Sequence, residues 1–155
     1  MQDILHVIGR HAGNVPVPVF GIVMELGLGP DFLWLDDDVS GWFERKPTGE
    51  YRIAVNLRHP LTRQRFTAAH ELGHYIYHRN LLGDGVGDTR AYRALNSPRP
   101  NPKIRPIHER QANSFAANLL MPRALIAAAG TNDPVALAQR FGVSEEAMRL
   151  RLGEA

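Results

Sequence analysis

Residues 61–79 read LTRQRFTAAHELGHYIYHR, and the reading of the whole chain turns on this stretch. Ala68, Leu72 and Ile76 recur every four residues, the spacing of a helix with one apolar face. Thr62 is available as its N-terminal cap. A helix advances by about 100° per residue, so His70 and His74 stand only about 40° apart around the axis and two imidazoles can reach one metal ion. Glu71 lies about 60° from His74. That is close enough to address a water on the metal without coordinating it.

Two histidines leave a catalytic site one protein ligand short, since such sites use three and keep a further position open. The best candidate for the third is Glu109, which begins a second helix in Glu109-Arg110-Gln111-Ala112-Asn113. Asn113 falls one turn later on the same face and can hydrogen-bond a ring nitrogen of a ligand histidine. Glu25, Asp36, Asp37 and Asp38 are alternative carboxylates, although three consecutive aspartates read more simply as a solvated turn. His78 continues the four-residue spacing, yet it stands about 80° and two turns from His70, which suits a supporting or packing role behind the ligands.

The chain has no cysteine. Disulfides, thiolate metal sites and cysteine nucleophiles are therefore excluded, and a metal must be held by His, Asp or Glu. A set of two histidines and a glutamate suits several divalent ions, and we expect a single zinc. With 155 residues, 44% hydrophobic and 22% charged, the composition is that of one ordinary globular domain. The net charge of +2 comes from dispersed arginines, among them Arg63, Arg65, Arg99, Arg105, Arg149 and Arg151, so DNA binding does not follow from charge. Met1 to Leu5 lacks the basic and apolar regions of a signal peptide, and no apolar run approaches membrane-spanning length. We expect a cytoplasmic protein.

Outward from the central helix, residues 3–13 and 18–26 predict two short helices, the second opened by Pro18 and closed before Gly27. Between Asp31 and Leu57, aromatic and β-branched residues separated by turn residues predict a small antiparallel sheet. Lys46 to Glu50 would form a hairpin tip, and Tyr51, Ile53 and Val55 would share one face of the returning strand. An extended substrate would add most readily to the edge offered by this Tyr51–Val55 strand. The Gly- and Pro-rich residues 83–106 predict a loop able to cover the site. A helix follows from Ile107 to Leu120, interrupted at Met121-Pro122. Pro122 opens a further helix ended by Gly130, Asp133-Pro134 one ended by Gly142, and Ser144 caps a last one through Leu152. Tyr92 and His108 flank the site in sequence and are candidate oxyanion donors, with surface or packing roles the simpler reading of each.

At Arg63–His74, His78 and the run ERQANSFAANLLMP (Glu109 to Pro122) the sequence resembles the ImmA/IrrE family of metallopeptidases. Tyr51–Asn56, Arg140–Ser144 and Ala147–Leu152 are similar as well, so the likeness runs from about Trp42 onward. Many relatives carry a second glutamate where this chain has Gln111. The resemblance implies an α+β, zincin-like fold of gluzincin type, with residues 1–130 as the metallopeptidase domain and residues 131–155 as a helix-turn-helix-like segment packed on it. It further implies a zinc endopeptidase that cleaves a helix-turn-helix (Xre-like) repressor or antitoxin, derepressing stress-response or mobile-element genes. His70, His74 and Glu109 would hold the metal, Glu71 would be the acid/base, and Asn113 and His78 would support the ligands.

Two rivals come from other classes. The helices around Gly142-Val143-Ser144 have the outline of a DNA-binding helix-turn-helix, which normally needs a third helix and base-reading side chains. A latent or non-catalytic zinc-binding toxin or sensor component would hold its partner uncut, but such a site has no need of Glu71.

Overall fold

The computed structural model describes residues 3–81, 90–92 and 104–153, the short strand at 90–92 by its backbone. The loop expected over residues 83–106 and the Tyr92 side chain therefore fall largely outside the described residues.

Two short helices open the chain, α1 (Ile4–Arg10) and α2 (Val19–Glu25). The Asp3 carboxylate accepts from the Leu5 N–H at the start of α1, and Gly27, at φ 73°, turns the chain out of α2. Strands β1 (Asp31–Leu33), β2 (Gly41–Arg45) and β3 (Tyr51–Asn56) follow, then helix α3 (Leu61–His78) and a single 3-10 turn. Strand β4 (Arg90–Tyr92) precedes helices α4 (Pro106–Leu120), α5 (Arg123–Ala127), α6 (Pro134–Phe141) and α7 (Glu145–Arg151).

The sheet order is β1-β3-β2-β4. β2 and β3 form the expected hairpin, closed by Lys46 N–H to Glu50 O at 2.7 Å. The sheet is mixed, not antiparallel, because β1 runs parallel to β3. The fully buried Asn56 explains this. Its amide nitrogen donates to the carbonyls of Asp36 and Val39, and its oxygen accepts from the N–H groups of Leu35 and Arg58. One side chain thus gathers residues 35–39 into a crossing over the end of β3, so β1 and β2 flank β3 on opposite sides.

This topology corrects the expectation for substrate docking. β3 is paired with β2 over Tyr51–Val55 on one side and with β1 over Ala54–Asn56 on the other, where Ile53 N–H also donates to Leu28 O, so a peptide cannot add along the full length of Tyr51–Val55. The cap of α3 is also revised: Pro60 occupies the N-cap without a side-chain bond, and Thr62 lies inside the first turn. The Gln64 side chain instead ties that turn down by donating to His59 O at 2.7 Å.

Helix α3 is the axis of the fold. Ala68, Ala69 and Leu72 are fully buried beside Phe43, Ile53 and Val55 of the sheet, Ile22 and Val23 of α2, and Ala116 and Leu120 of α4. Full burial of a side chain such as Phe43 or Leu72 stabilises by about 1.5–3 kcal/mol over leaving it exposed. Two glycines permit the close approach. A β-carbon at Gly41 would stand 2.2 Å from Ala54 O and 2.8 Å from the Thr67 methyl, so β2 lies hard against both β3 and α3. Gly73 does the same between α3 and α4.

Helices α6 and α7 begin and end as the sequence indicates. Asp133 accepts from Val135 N–H, Gly142 takes the left-handed conformation, and Ser144 Oγ accepts from Ala147 N–H. α5 stops at Ala127, three residues before Gly130. Leu137, Phe141, Val143 and Met148 enter the same core as α3 and α4.

Candidate metal centre

His70 and His74 project from the middle of α3, are 0% and 1% exposed, and have ring centroids 4.6 Å apart at 84°. Helix α4 crosses where Gly73 has no side chain, which brings the first turn of α4 over the two rings. Glu109 extends from that turn. Its Oε2 lies 3.2 Å from His70 Nε2 and its Oε1 2.8 Å from His74 Nε2. One potential ligand atom from each residue lies within 4.8 Å of the others.

The chemistry of this donor set fits a metal. At 2.8 Å, His74 Nε2 and Glu109 Oε1 are close, yet they are not aligned as a hydrogen bond. Burial raises the Glu109 carboxyl, but the adjacent His70 and His74 rings overcome that effect and hold it far below the ordinary carboxylate range. An ionised carboxylate beside two imidazoles is the donor set required for a hard or borderline divalent cation. Its position in the first turn of α4 also lets the helix dipole favour the charge. About a third of the Glu109 side chain remains exposed, so the cluster opens to solvent on the α4 side.

Groups behind the rings fix their orientation. His70 Nδ1–H donates to Asn113 Oδ1 at 2.7 Å, which fixes the ring with its Nε2 on the side of Glu109. His74 stacks on Phe43 at 5.7 Å and 14°, and its Nδ1 lies 2.9 Å from His78 Nδ1. His78 Nε2 in turn meets Gln111 Oε1 at 2.7 Å. Burial pushes His78 below its ordinary value, against the raising effect of the Gln111 bond. Glu71, between the two histidines in sequence, is fully buried.

The other residues considered from sequence go elsewhere. Glu25 binds Arg10 and His11, joining α1 to α2. Asp36 and Asp37 give their backbone carbonyls to Asn56 and His59, in the turn of residues 35–39. His108 Nδ1 accepts from Arg105 N–H and caps α4, and its ring lies 4.7 Å from His78. A helix cap is therefore the role its geometry supports. Sequence reasoning missed Phe43 and Gln111. Nothing in a strand pattern distinguishes an aromatic ring that backs a histidine from any other core residue. Gln111 carried a signal, because a polar side chain two residues beyond Glu109 on the helix that crosses α3 has a partner within reach at His78.

Comparison with known proteins places a family model on this chain. The model described as Peptidase_M78, IrrE N-terminal-like domain, matches residues 35–153, which include every residue of the cluster. No curated protein matches the chain. Among the described residues, no helix is long and apolar enough to cross a membrane.

Proposed function

Because this chain belongs to the Peptidase_M78 family of IrrE N-terminal-like domains, we propose that it is a zinc-dependent endopeptidase whose metal is held by His70, His74 and Glu109. The observation that carries this reading is the convergence of those three side chains from two helices, with Glu71 buried beside them. A divalent ion there would supply Lewis acidity for hydrolysis of a peptide bond. Glu71 is the general base and then the general acid: it accepts a proton from the attacking water and returns it to the leaving amine. Asn113 and His78 hold the ligand rings in the orientation that frees their Nε2 lone pairs.

Residues 1–130 act as a zincin-like unit of gluzincin type, and residues 131–155 as a helical segment docked on it. In support, α3 carries both histidines against the sheet, and Phe141 and Met148 share one core with Leu72. The arginines of the last helices favour this docking role over DNA contact. Arg151 donates to Met121 O and to Asn118, Arg140 to Ala129 O, and Arg149 pairs with Glu145.

The substrate we propose is a helix-turn-helix repressor or antitoxin protein, cleaved in the cytoplasm to release transcription of stress-response or mobile-element genes. The test is incubation of the zinc-loaded chain with the helix-turn-helix regulator encoded beside it, read by intact mass. Specific fragments from the wild type and none from Glu71→Gln support the proposal. A stable complex with no fragments from either protein overturns it in favour of a non-catalytic partner.

A further inference from the structure

Strand β1 ends the sheet, paired with β3 on one side and, among the described residues, with no strand on the other. A terminal strand presents a row of unpaired backbone groups, which soluble proteins commonly blunt with charge or proline. Pro30 and Asp31 do so at one end, but the chain then continues as Phe32, Leu33 and Trp34, which are 42%, 38% and 73% exposed. We propose that this edge is the contact between two copies of the chain, which pair β1 against β1 in antiparallel fashion about a twofold axis at Leu33.

The direction of the backbone fixes which residues are available. Leu33 O accepts from Leu57 N–H at 2.7 Å, and Leu35 N–H donates to the Asn56 side chain, so both residues face β3. Successive residues of an extended chain alternate in direction, which turns the N–H and C=O of Phe32 and Trp34 outward. In an antiparallel ladder, a residue whose groups face the partner exchanges two hydrogen bonds with the residue opposite. An axis at Leu33 sets Phe32 of each copy opposite Trp34 of the other, so every outward group of these two residues is paired. An axis at Phe32 would instead set Trp34 opposite Pro30, which has no N–H to donate.

The side chains fit the same register. Phe32 and Trp34 lie two residues apart on one face, so the pairing makes two cross-strand aromatic contacts, a favourable class in sheets. Each ring is already held within its own copy. Phe32 meets Phe20 edge-on at 5.2 Å, and the Arg58 guanidinium covers one side of Trp34 at 5.4 Å. Asp31, bound to Arg52 at 2.6 Å, falls opposite Leu35, and Asp36 falls opposite Pro30, so no two acids are set against each other. The edge is its own complement, which is what a twofold contact between identical chains requires. β1 and β2 flank β3 on opposite sides, and Phe43, which backs His74, belongs to β2. The contact is therefore remote from the metal cluster.

Sedimentation equilibrium of the full chain over roughly micromolar to millimolar concentration measures the association, because a contact this small gives a weak dimer. Trp34→Lys removes both aromatic pairs and should weaken the dimer by about 2–30-fold. Zinc affinity equal to that of the wild type would show its fold intact. The register is tested by cross-linking, since the chain has no cysteine of its own. Leu33 meets its counterpart on the axis as a non-hydrogen-bonded pair, with α-carbons about 4.5 Å apart, within the span of a disulfide. Leu33→Cys should oxidise to a linked dimer faster than Leu150→Cys, a site 67% exposed on α7 that reports random collision. A wild type that stays monomeric throughout the range overturns the proposal. So does a dimer that Trp34→Lys leaves unweakened, or one in which Leu33→Cys links no faster than Leu150→Cys.

Discussion

A β-carbon built on Gly73 would stand 3.2 Å from the Ala112 α-carbon and 3.1 Å from the Phe115 ring. The first of these neighbours is backbone and cannot swing aside. Gly73→Ala gains about 1 kcal/mol of helix propensity, while overpacking at a helix contact typically costs about 1–3 kcal/mol. Global stability should therefore fall by about 0–2 kcal/mol, and α4 should move away from α3 and carry Glu109 off the two histidines. We expect zinc affinity to fall by roughly tenfold, as when a group that orients ligands is disturbed. Chelator competition and thermal melting on the same variant separate the two effects.

The glycine also illustrates how far the sequence was legible. Helical periodicity and the His70, Glu71, His74 spacing are local, so α3 and its ligand face could be derived from residue order. Glu109 stood out as the carboxylate that opens the next helix, and Asn113 followed because residues four apart share one face of a helix with 3.6 residues per turn. The parallel pairing of β1 was not legible, because it depends on the Asn56 side chain reaching residues twenty positions away, a tertiary contact that no alternation pattern encodes. The same missing crossing made Tyr51–Val55 resemble an edge. Gln111 read as a departure from a family pattern until its distance to His78 gave it a partner.

Asn113→Leu should weaken zinc binding by about 10–100-fold, because it leaves His70 Nδ1–H without its acceptor and frees the ring to turn. Asn113→Asp retains an acceptor at the same place and should keep or strengthen binding. Asn113 is exposed, so circular dichroism should show both variants folded. Equal affinity in the leucine variant would mean that packing alone holds His70.

Metal removal should lower the melting temperature. A ligand at 1,000 times its dissociation constant stabilises by about 4 kcal/mol, which for a chain of this size is on the order of 10 °C. Chelation of the wild type should produce that shift, and His74→Ala should show none. The sign of the pH dependence follows from Glu109. Its carboxyl is held below the ordinary range, so the stability its charge contributes is present above the unfolded-state value and is lost only as pH falls through the lower folded one. Mild acid therefore leaves Glu109 ionised, while metal binding, which needs deprotonated ligands, weakens as acid is added. The metal-dependent shift should shrink on acidification before Glu109 titrates, and melting with and without chelator across the acid range measures it.

Arg65 sits five residues before His70 on the same helix and is nearly buried, with Nε donating to Gly142 O at 3.0 Å and a terminal nitrogen 3.4 Å from Phe141 O. Burial lowers its pKa, and its guanidinium satisfies carbonyls at the end of α6, where Gly142 at φ 67° turns the chain toward α7. Hydrogen bonds from charged donors contribute about 1.5–3 kcal/mol, while relief from burying the charge offsets part of their loss. Arg65→Met keeps most of the apolar stem and removes the donors, so a net destabilisation of about 1–2 kcal/mol is expected by denaturant unfolding. The loss should be local. Hydrogen exchange should accelerate in α6 and α7 ahead of α3, because the contact removed joins the last helices to the rest of the core. Zinc affinity should be unchanged, since Arg65 contacts none of the residues that hold or orient the ligands. A parallel loss of zinc binding would mean that the C-terminal helices help to shape the metal cluster itself.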